Sequence, residues 1–170
     1  MAYLGIDPGH TGGAVIWDGV EVCLAWEWKR VDEGYRIRTA PRVGTVVEDL
    51  SVVVMRLSSE ARRLCVDVVA LEALYVPRKA GGYASVLRAA EARGILSQVA
   101  MWTGAELYEP RPAEWRKEVW GRAPGNRHEA KRRARIHGET FPGLLLPKSD
   151  HVCEALCLAQ FAEMRWTSEE

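Results

Sequence analysis

The most restrictive feature of the chain is the spacing of apolar runs over its first thirty residues. Tyr3 to Ile6, Gly13 to Trp17 and Val20 to Trp28 are short and are separated by the turn-forming stretches Asp7-Pro-Gly-His10 and Trp17-Asp-Gly19. Strands this close in sequence leave no room for a crossover, so they pair as an antiparallel meander. The pattern then changes. Val47, Leu50, Val54, Leu57, Ala61 and Leu64 recur at threes and fours, which predicts an amphipathic helix over 46–64, and Val66 to Leu71 reads as a buried strand. A helix that leads back to a strand implies a parallel pairing. Further helices are expected at 83–99, 112–119, 126–137 and 149–164, with a short strand at 106–109 before Pro110. The expected fold is an α/β domain with a mixed sheet flanked by helices, and the basic stretches 29–44 and 77–82 are expected as loops.

A chain of 170 residues with 48% hydrophobic and 27% charged residues has the composition of one compact soluble domain, here expected to span 1–170. At this length an ordinary apolar core suffices without disulfide or zinc staples. Apolar runs such as Val52 to Met55 and Leu144 to Leu146 fall far below the roughly 18 residues of a membrane span, so no membrane association is expected. The first residues carry neither a basic segment nor an apolar signal core, which leads to an expected cytoplasmic location. Cys23, Cys65, Cys153 and Cys157 form no CxxC pair and read as reduced core thiols.

Formal net charge is zero, but the average conceals an asymmetry. Between Arg111 and Arg135 nine basic residues face three acidic ones, Glu114, Glu118 and Glu129, and the rest of the chain carries the compensating negative charge. Such polarity suits a polyanion on one side, although a basic run is also how a solvated helix face looks.

The chain has only six aspartates, so their positions are informative. Asp7 closes the first strand and Glu72 closes the strand 66–71, at the carboxyl ends where ligands of α/β sheets collect. Ser149 is a suitable N-cap for the last helix, which places Asp150, His151 and Glu154 on its first turns. Each acid taken singly fits a solvated strand end or a helix-terminal charge. As a set they would repel one another, and a fold that gathers them offsets the repulsion with a cation. Oxygen-rich sets favour Mg²⁺ or Mn²⁺, and two such ions suit in-line displacement at phosphorus.

Five segments in order resemble the RuvC family of Holliday-junction resolvases, including its phage-encoded branch. They are Gly5-Ile-Asp-Pro-Gly-His-Thr-Gly12, Leu71-Glu-Ala-Leu-Tyr75, Leu87-Arg-Ala-Ala-Glu-Ala-Arg-Gly94, Lys117-Glu-Val-Trp-Gly121 with Lys131, and His151-Val-Cys-Glu-Ala-Leu156. The resemblance spans nearly the whole chain. It implies an RNase H-like fold with a mixed five-stranded sheet, a homodimer acting on four-way or branched DNA, and two Mg²⁺ or Mn²⁺ ions per active site. Asp7, Glu72, His151 and Glu154 match the family's metal-binding positions, with glutamate at 154 where aspartate is commoner; Asp150 is an alternative ligand to His151. Lys117 and Lys131 match lysines that act on the cleaved phosphate. Tyr75 matches an aromatic that stacks on bases, alongside Arg78 and Lys79 in the same loop. Arg116, Arg122, Arg127, Arg132, Arg133 and Arg135 would grip flanking phosphates. The helix 84–99, with Ala89, Ala90, Gly94 and Ser97, matches the family's subunit contact, and a core helix accounts for the same small residues.

The activity implied is a structure-selective, divalent-metal-dependent endonuclease that resolves junctions by paired nicks. Two other readings stay open. One is a branched-DNA-binding scaffold without activity. The other is a phosphate-binding lobe of the actin and sugar-kinase type, for which one lobe of 170 residues is too short to close a cleft over ATP.

Overall fold

Alternation along the first strand decides how the molecule is layered. The computed structural model describes residues 1–32, 34–40, 44–74, 83–141 and 149–169. In chain order the elements are β1 (Ala2–Asp7), β2 (Thr11–Trp17), β3 (Val22–Val31), β4 (Gly34–Ala40), β5 (Gly44–Glu48), α1 (Leu50–Arg63), β6 (Val66–Leu71), α2 (Tyr83–Leu96) and α3 (Gln98–Thr103). They are followed by β7 (Glu106–Tyr108), α4 (Pro112–Trp120), α5 (Arg127–Glu139) and α6 (Asp150–Glu169). The strands form one sheet in the order β5-β4-β3-β2-β1-β6-β7. Strands β1 to β5 pair antiparallel with one another in succession, while β6 runs parallel to β1 and β7 parallel to β6.

Successive side chains of a strand point to opposite faces, so β1 feeds two cores. Leu4 and Ile6 pack with Ile16, Trp26 and Trp28 under α1, α2 and α3. Tyr3 packs with Val15, Ala25, Val68 and Ala70 under α6, joined by Trp115 of α4 and Ala134 of α5. By the same parity Asp7 follows Tyr3 and Gly5 onto the α6 face, and Glu72 follows Val68 and Ala70. Among the described residues no helix is long and apolar enough to cross a membrane.

The meander and the strand 66–71 form as expected, but the sheet has seven strands rather than five. The stretch 29–44 extends β3 and builds β4, where Tyr35 and Ile37 alternate with Arg36 and Arg38. The alternation has a strand's period of two, and the arginines disguise it as a loop. Gly34, at φ +138°, permits the reversal between β3 and β4. Val46 and Val47 belong to β5, so α1 begins only at Leu50. The helix expected over 83–99 breaks at Ser97 into α2 and α3, with Ala92 and Leu96 buried and Ala90 and Gly94 exposed. All four cysteines are free, but only Cys153 and Cys157 are buried. The core-thiol expectation therefore holds for that pair, while Cys65 is exposed and Cys23 lies part-way.

One packing contact brings the last helix onto the first strands. A Cβ on Gly5 would lie 1.9 Å from the Ala155 carbonyl oxygen and 2.4 Å from the Ala159 amide nitrogen. A Cβ on Gly13 would lie 2.7 Å from the His151 carbonyl. These glycines let the α6 backbone rest directly on the sheet, which sets the first turn of α6 over the end of β1.

Candidate active site

The carboxyl end of β1 meets the start of α6 in a cleft of about 840 Å³ whose walls carry Asp7, Glu72, His151, Glu154, Arg116 and Lys131. Three local features build it. The hydrogen bond from the Glu72 amide to the Ile6 carbonyl, 3.1 Å, continues the β1–β6 pairing one residue past the strand and seats Glu72 beside Asp7. The turn after β1 is held by the Trp28 indole, which donates to the Gly9 carbonyl at 3.0 Å, and by the Arg30 amide, which donates to His10 at 2.7 Å. The Ser149 hydroxyl accepts from the Val152 amide at 3.3 Å and so caps α6, as its residue type suggests.

Asp7 and His151 meet at 2.6 Å between Oδ2 and Nδ1. A carboxylate can only accept, so the imidazole donates through Nδ1. One ligand atom each from Asp7, His151 and Glu154 lie within 4.8 Å of one another. Asp7 and Glu154 are buried, and His151 is half-buried. Glu72 stands beside this trio, where its Oε1 accepts from the Trp115 indole at 2.9 Å. Arg116 lies 2.9 Å from Glu154 and 3.7 Å from the same Glu72 oxygen.

The cost of gathering these acids shows in their proton affinities. Burial, reinforced by the charge of Asp7, pushes Glu72 up to about 8 against the partial relief offered by Trp115 and Arg116. Burial and Asp7 likewise push Glu154 up to about 7. Burial works against the charged form of His151, but the hydrogen bond to Asp7 and its charge outweigh it and raise the imidazole above its ordinary value. A buried set of two or three carboxylates with an imidazole, short of positive charge, has the donor chemistry of a hard divalent cation site.

The structure separates the other predicted residues into distinct places. Asp150 does not join the trio. One residue along a helix turns a side chain by about 100°, so Asp150 points toward α5, where it is 2.9 Å from Lys131 Nζ and also paired with Arg135. Burial opposes ionisation of Asp150, yet these two cations hold it below the ordinary carboxylate value. Lys131 reaches the cleft, Lys117 is exposed on α4 away from its lining, and Arg127 lines the opening. Arg122 and Arg133 are paired with Glu129 at 3.8 and 2.6 Å, and Arg132 faces solvent. Tyr75, Arg78 and Lys79 lie outside the described residues.

Two participants escape sequence reasoning. Trp115 is the buried residue of α4, with Val119 and Trp120 half-buried beside it, and a buried indole N–H needs an acceptor; a tryptophan set among the charges of Glu114, Arg116 and Lys117 was the available signal, though it does not name the acceptor. Arg116 reads as one more phosphate-gripping cation, and nothing in its spacing foretells that it bridges two acids.

No family model matches the chain, and no curated protein matches it in sequence. Solved structures do. The chain is similar to Thermus thermophilus RuvC, with 18% identity and a TM-score of 0.59 over 99% of this chain and 97% of the other. It is also similar to T. thermophilus RuvC solved in complex with a Holliday junction substrate, with 17% identity and a TM-score of 0.62 over 99% and 96% of the two chains. The likeness spans both chains nearly end to end, so the fold is that of RuvC, as the five segments led one to expect, with seven strands in the sheet where five were expected.

Proposed function

We propose that the protein is a metal-dependent endonuclease that nicks four-way or branched DNA. The observation that carries this reading is the convergence of Asp7, His151 and Glu154 within 4.8 Å, beside Glu72, in a cleft that also holds Arg116, Arg127 and Lys131. Acids alone would repel a phosphodiester, and cations alone would only bind it. The combination suits hydrolysis.

Asp7, His151 and Glu154 would hold one divalent ion, and Asp7 with Glu72 a second. Mg²⁺ or Mn²⁺, when bound, supplies Lewis-acid charge at the scissile phosphate and makes water a better nucleophile. The chain's own residues do the rest. Asp7 orients the His151 ring by fixing which nitrogen carries the proton, and the Asp150 carboxylate steers Lys131 at the cleft wall. Lys131 and Arg127 offset the charge that develops on the phosphate and hold the strand in line with the acids. Tyr75, Arg78 and Lys79 remain proposals for contacts at the branch point, and Lys117, Arg122, Arg132 and Arg133 for contacts with outlying phosphates. Cleaving opposed strands symmetrically calls for two sites related by a two-fold axis, hence for a homodimer of this domain.

The test is to map nicks on a synthetic immobile four-way junction and on a linear duplex of the same sequence, with Mg²⁺ or Mn²⁺. Paired nicks at symmetric positions in the junction alone support the reading. Tight junction binding without nicks in either metal moves the protein to the scaffold reading.

A further inference from the structure

The β3–β4 hairpin carries an arrangement that the packing of the domain does not explain. In the sheet register Lys29 stands directly opposite Arg36, with Thr11 of β2 on the far side of Lys29 and Val47 of β5 on the far side of Arg36. Like charges directly opposite one another destabilise a strand pair. The neighbouring pair is ordinary by comparison: Glu27 stands opposite Arg38 and is bonded to it at 3.3 Å. Lys29 and Arg36 are both exposed, and among the described residues neither has an acidic partner. Edge protection does not account for them, because the edge strand is β5.

Their face of the sheet is the one that bears the cleft. Parity places Thr11, Lys29 and Arg36 on the same side as Gly13, Val15 and Ala25, which lie under α6. That helix covers β1, β2 and β6 and reaches only the margin of β3, while the helix packed on β4 is α1, on the opposite face. Thr11 itself lines the cleft. The row Thr11, Lys29, Arg36 therefore leads out of the cleft across two strand spacings, about 10 Å, over sheet that no described helix covers. The same cleft is also lined by the cations Arg127 and Lys131.

Resting on the nuclease reading above, we infer that the exposed face of the β3–β4 hairpin is a second backbone-binding track, on which Lys29 and Arg36 neutralise phosphates of a duplex arm leaving the cleft. The like-charge pair is costly in the free protein and is relieved when phosphate lies over it. A duplex spans 10 Å in about three base pairs, so the contacted phosphates lie about that far from the cleaved one. The track reads charge and carries no base sequence.

The experiment is equilibrium binding of the Lys29→Gln, Arg36→Gln double variant to an immobile junction, in Ca²⁺ to avoid cleavage, across a salt series. Each duplex phosphate contact contributes about 0.9 to the slope of log affinity against log salt. The double variant should therefore have a slope shallower by roughly 1.8 and bind roughly 60-fold more weakly at 0.1 M salt, a deficit that fades toward 1 M. Arg62→Gln with Arg63→Gln, on α1 across the sheet, should leave the slope unchanged. Methylphosphonate linkages within about four base pairs of the crossover should weaken wild-type binding and leave the double variant insensitive. A wild type that binds junctions with a slope that the double variant reproduces overturns this inference alone, and so does an equal change in the α1 control. A wild type that binds neither junction nor duplex overturns the nuclease reading and the track together.

Discussion

Asp7 Oδ2 and His151 Nδ1 lie 2.6 Å apart although 144 residues separate them in sequence. The contact joins the first strand to the last helix, and it needs both the Gly13 surface under α6 and the cap by Ser149. Replacing His151 by Gln removes a ligand atom and the bridge while preserving the helix. Mn²⁺ affinity, read by calorimetry, should fall about 10-fold to 100-fold. An unchanged affinity would place His151 outside the metal site.

Arg116 stands in for a cation between Glu72 and Glu154. Arg116→Gln leaves two buried acids less compensated, so the metal-free protein should lose about 2 kcal/mol, below the usual cost of breaking a buried pair because Arg116 keeps a fifth of its surface in solvent. Removing a positive charge from the rim should also tighten Mn²⁺ binding. A chemical denaturation series with and without Mn²⁺ reads both, and a variant equally weak in both conditions would contradict the prediction.

The glycines under α6 admit no Cβ. Gly5→Ala sets a methyl against the backbone of Ala155 and Ala159, which cannot rotate away, and should cost more than about 3 kcal/mol. Gly13→Ala presses on the His151 carbonyl and should cost about 1–3 kcal/mol while moving the imbalance into the site. Metal affinity in Gly13→Ala should therefore fall even where the fold survives. Unchanged melting in Gly5→Ala would contradict this packing.

Protons and metal compete for the same acids. Glu72 and Glu154 bind protons more tightly folded than unfolded, so the native state holds the extra protons between about pH 4.5 and their raised values of about 8 and 7. Stability of the metal-free protein should accordingly fall as pH rises through that window. His151 acts in the same sense, since its raised value is a stabilisation lost as pH rises past it. Asp150 acts oppositely, contributing above its ordinary value and losing that contribution as acid protonates it. Melting temperatures at pH 5.5 and 8 should differ in that order without metal, and saturating Mn²⁺ should remove or reverse the difference. A metal-free protein more stable at pH 8 would contradict it.

Much of the fold was legible because its signals are local. The strand ends at Asp7 and Glu72, the N-cap at Ser149 and the period of α1 and α6 depend on neighbours a few residues away. The β4 strand was hidden by Arg36 and Arg38 at alternate positions, which face solvent on an open side of the sheet, and β5 was hidden because Val46 and Val47 fit the period of the helix that follows. Within the site, parity placed Asp7 and Glu72 on one face, but a helical offset of one residue was enough to send Asp150 to α5 instead. Arg116 and Trp115 were illegible in their roles because their partners, Glu72 and Glu154, come from two other elements and meet them only in the packed domain.

The most direct test is cleavage of an immobile four-way junction by wild type and Asp7→Asn in Mg²⁺, with junction binding measured in parallel in Ca²⁺. A nuclease centred on these acids nicks the junction as wild type and loses at least about a hundredfold in rate as Asp7→Asn while still binding it, since the substitution removes a charge but little volume. Equal cleavage by the two proteins would contradict a site built on Asp7.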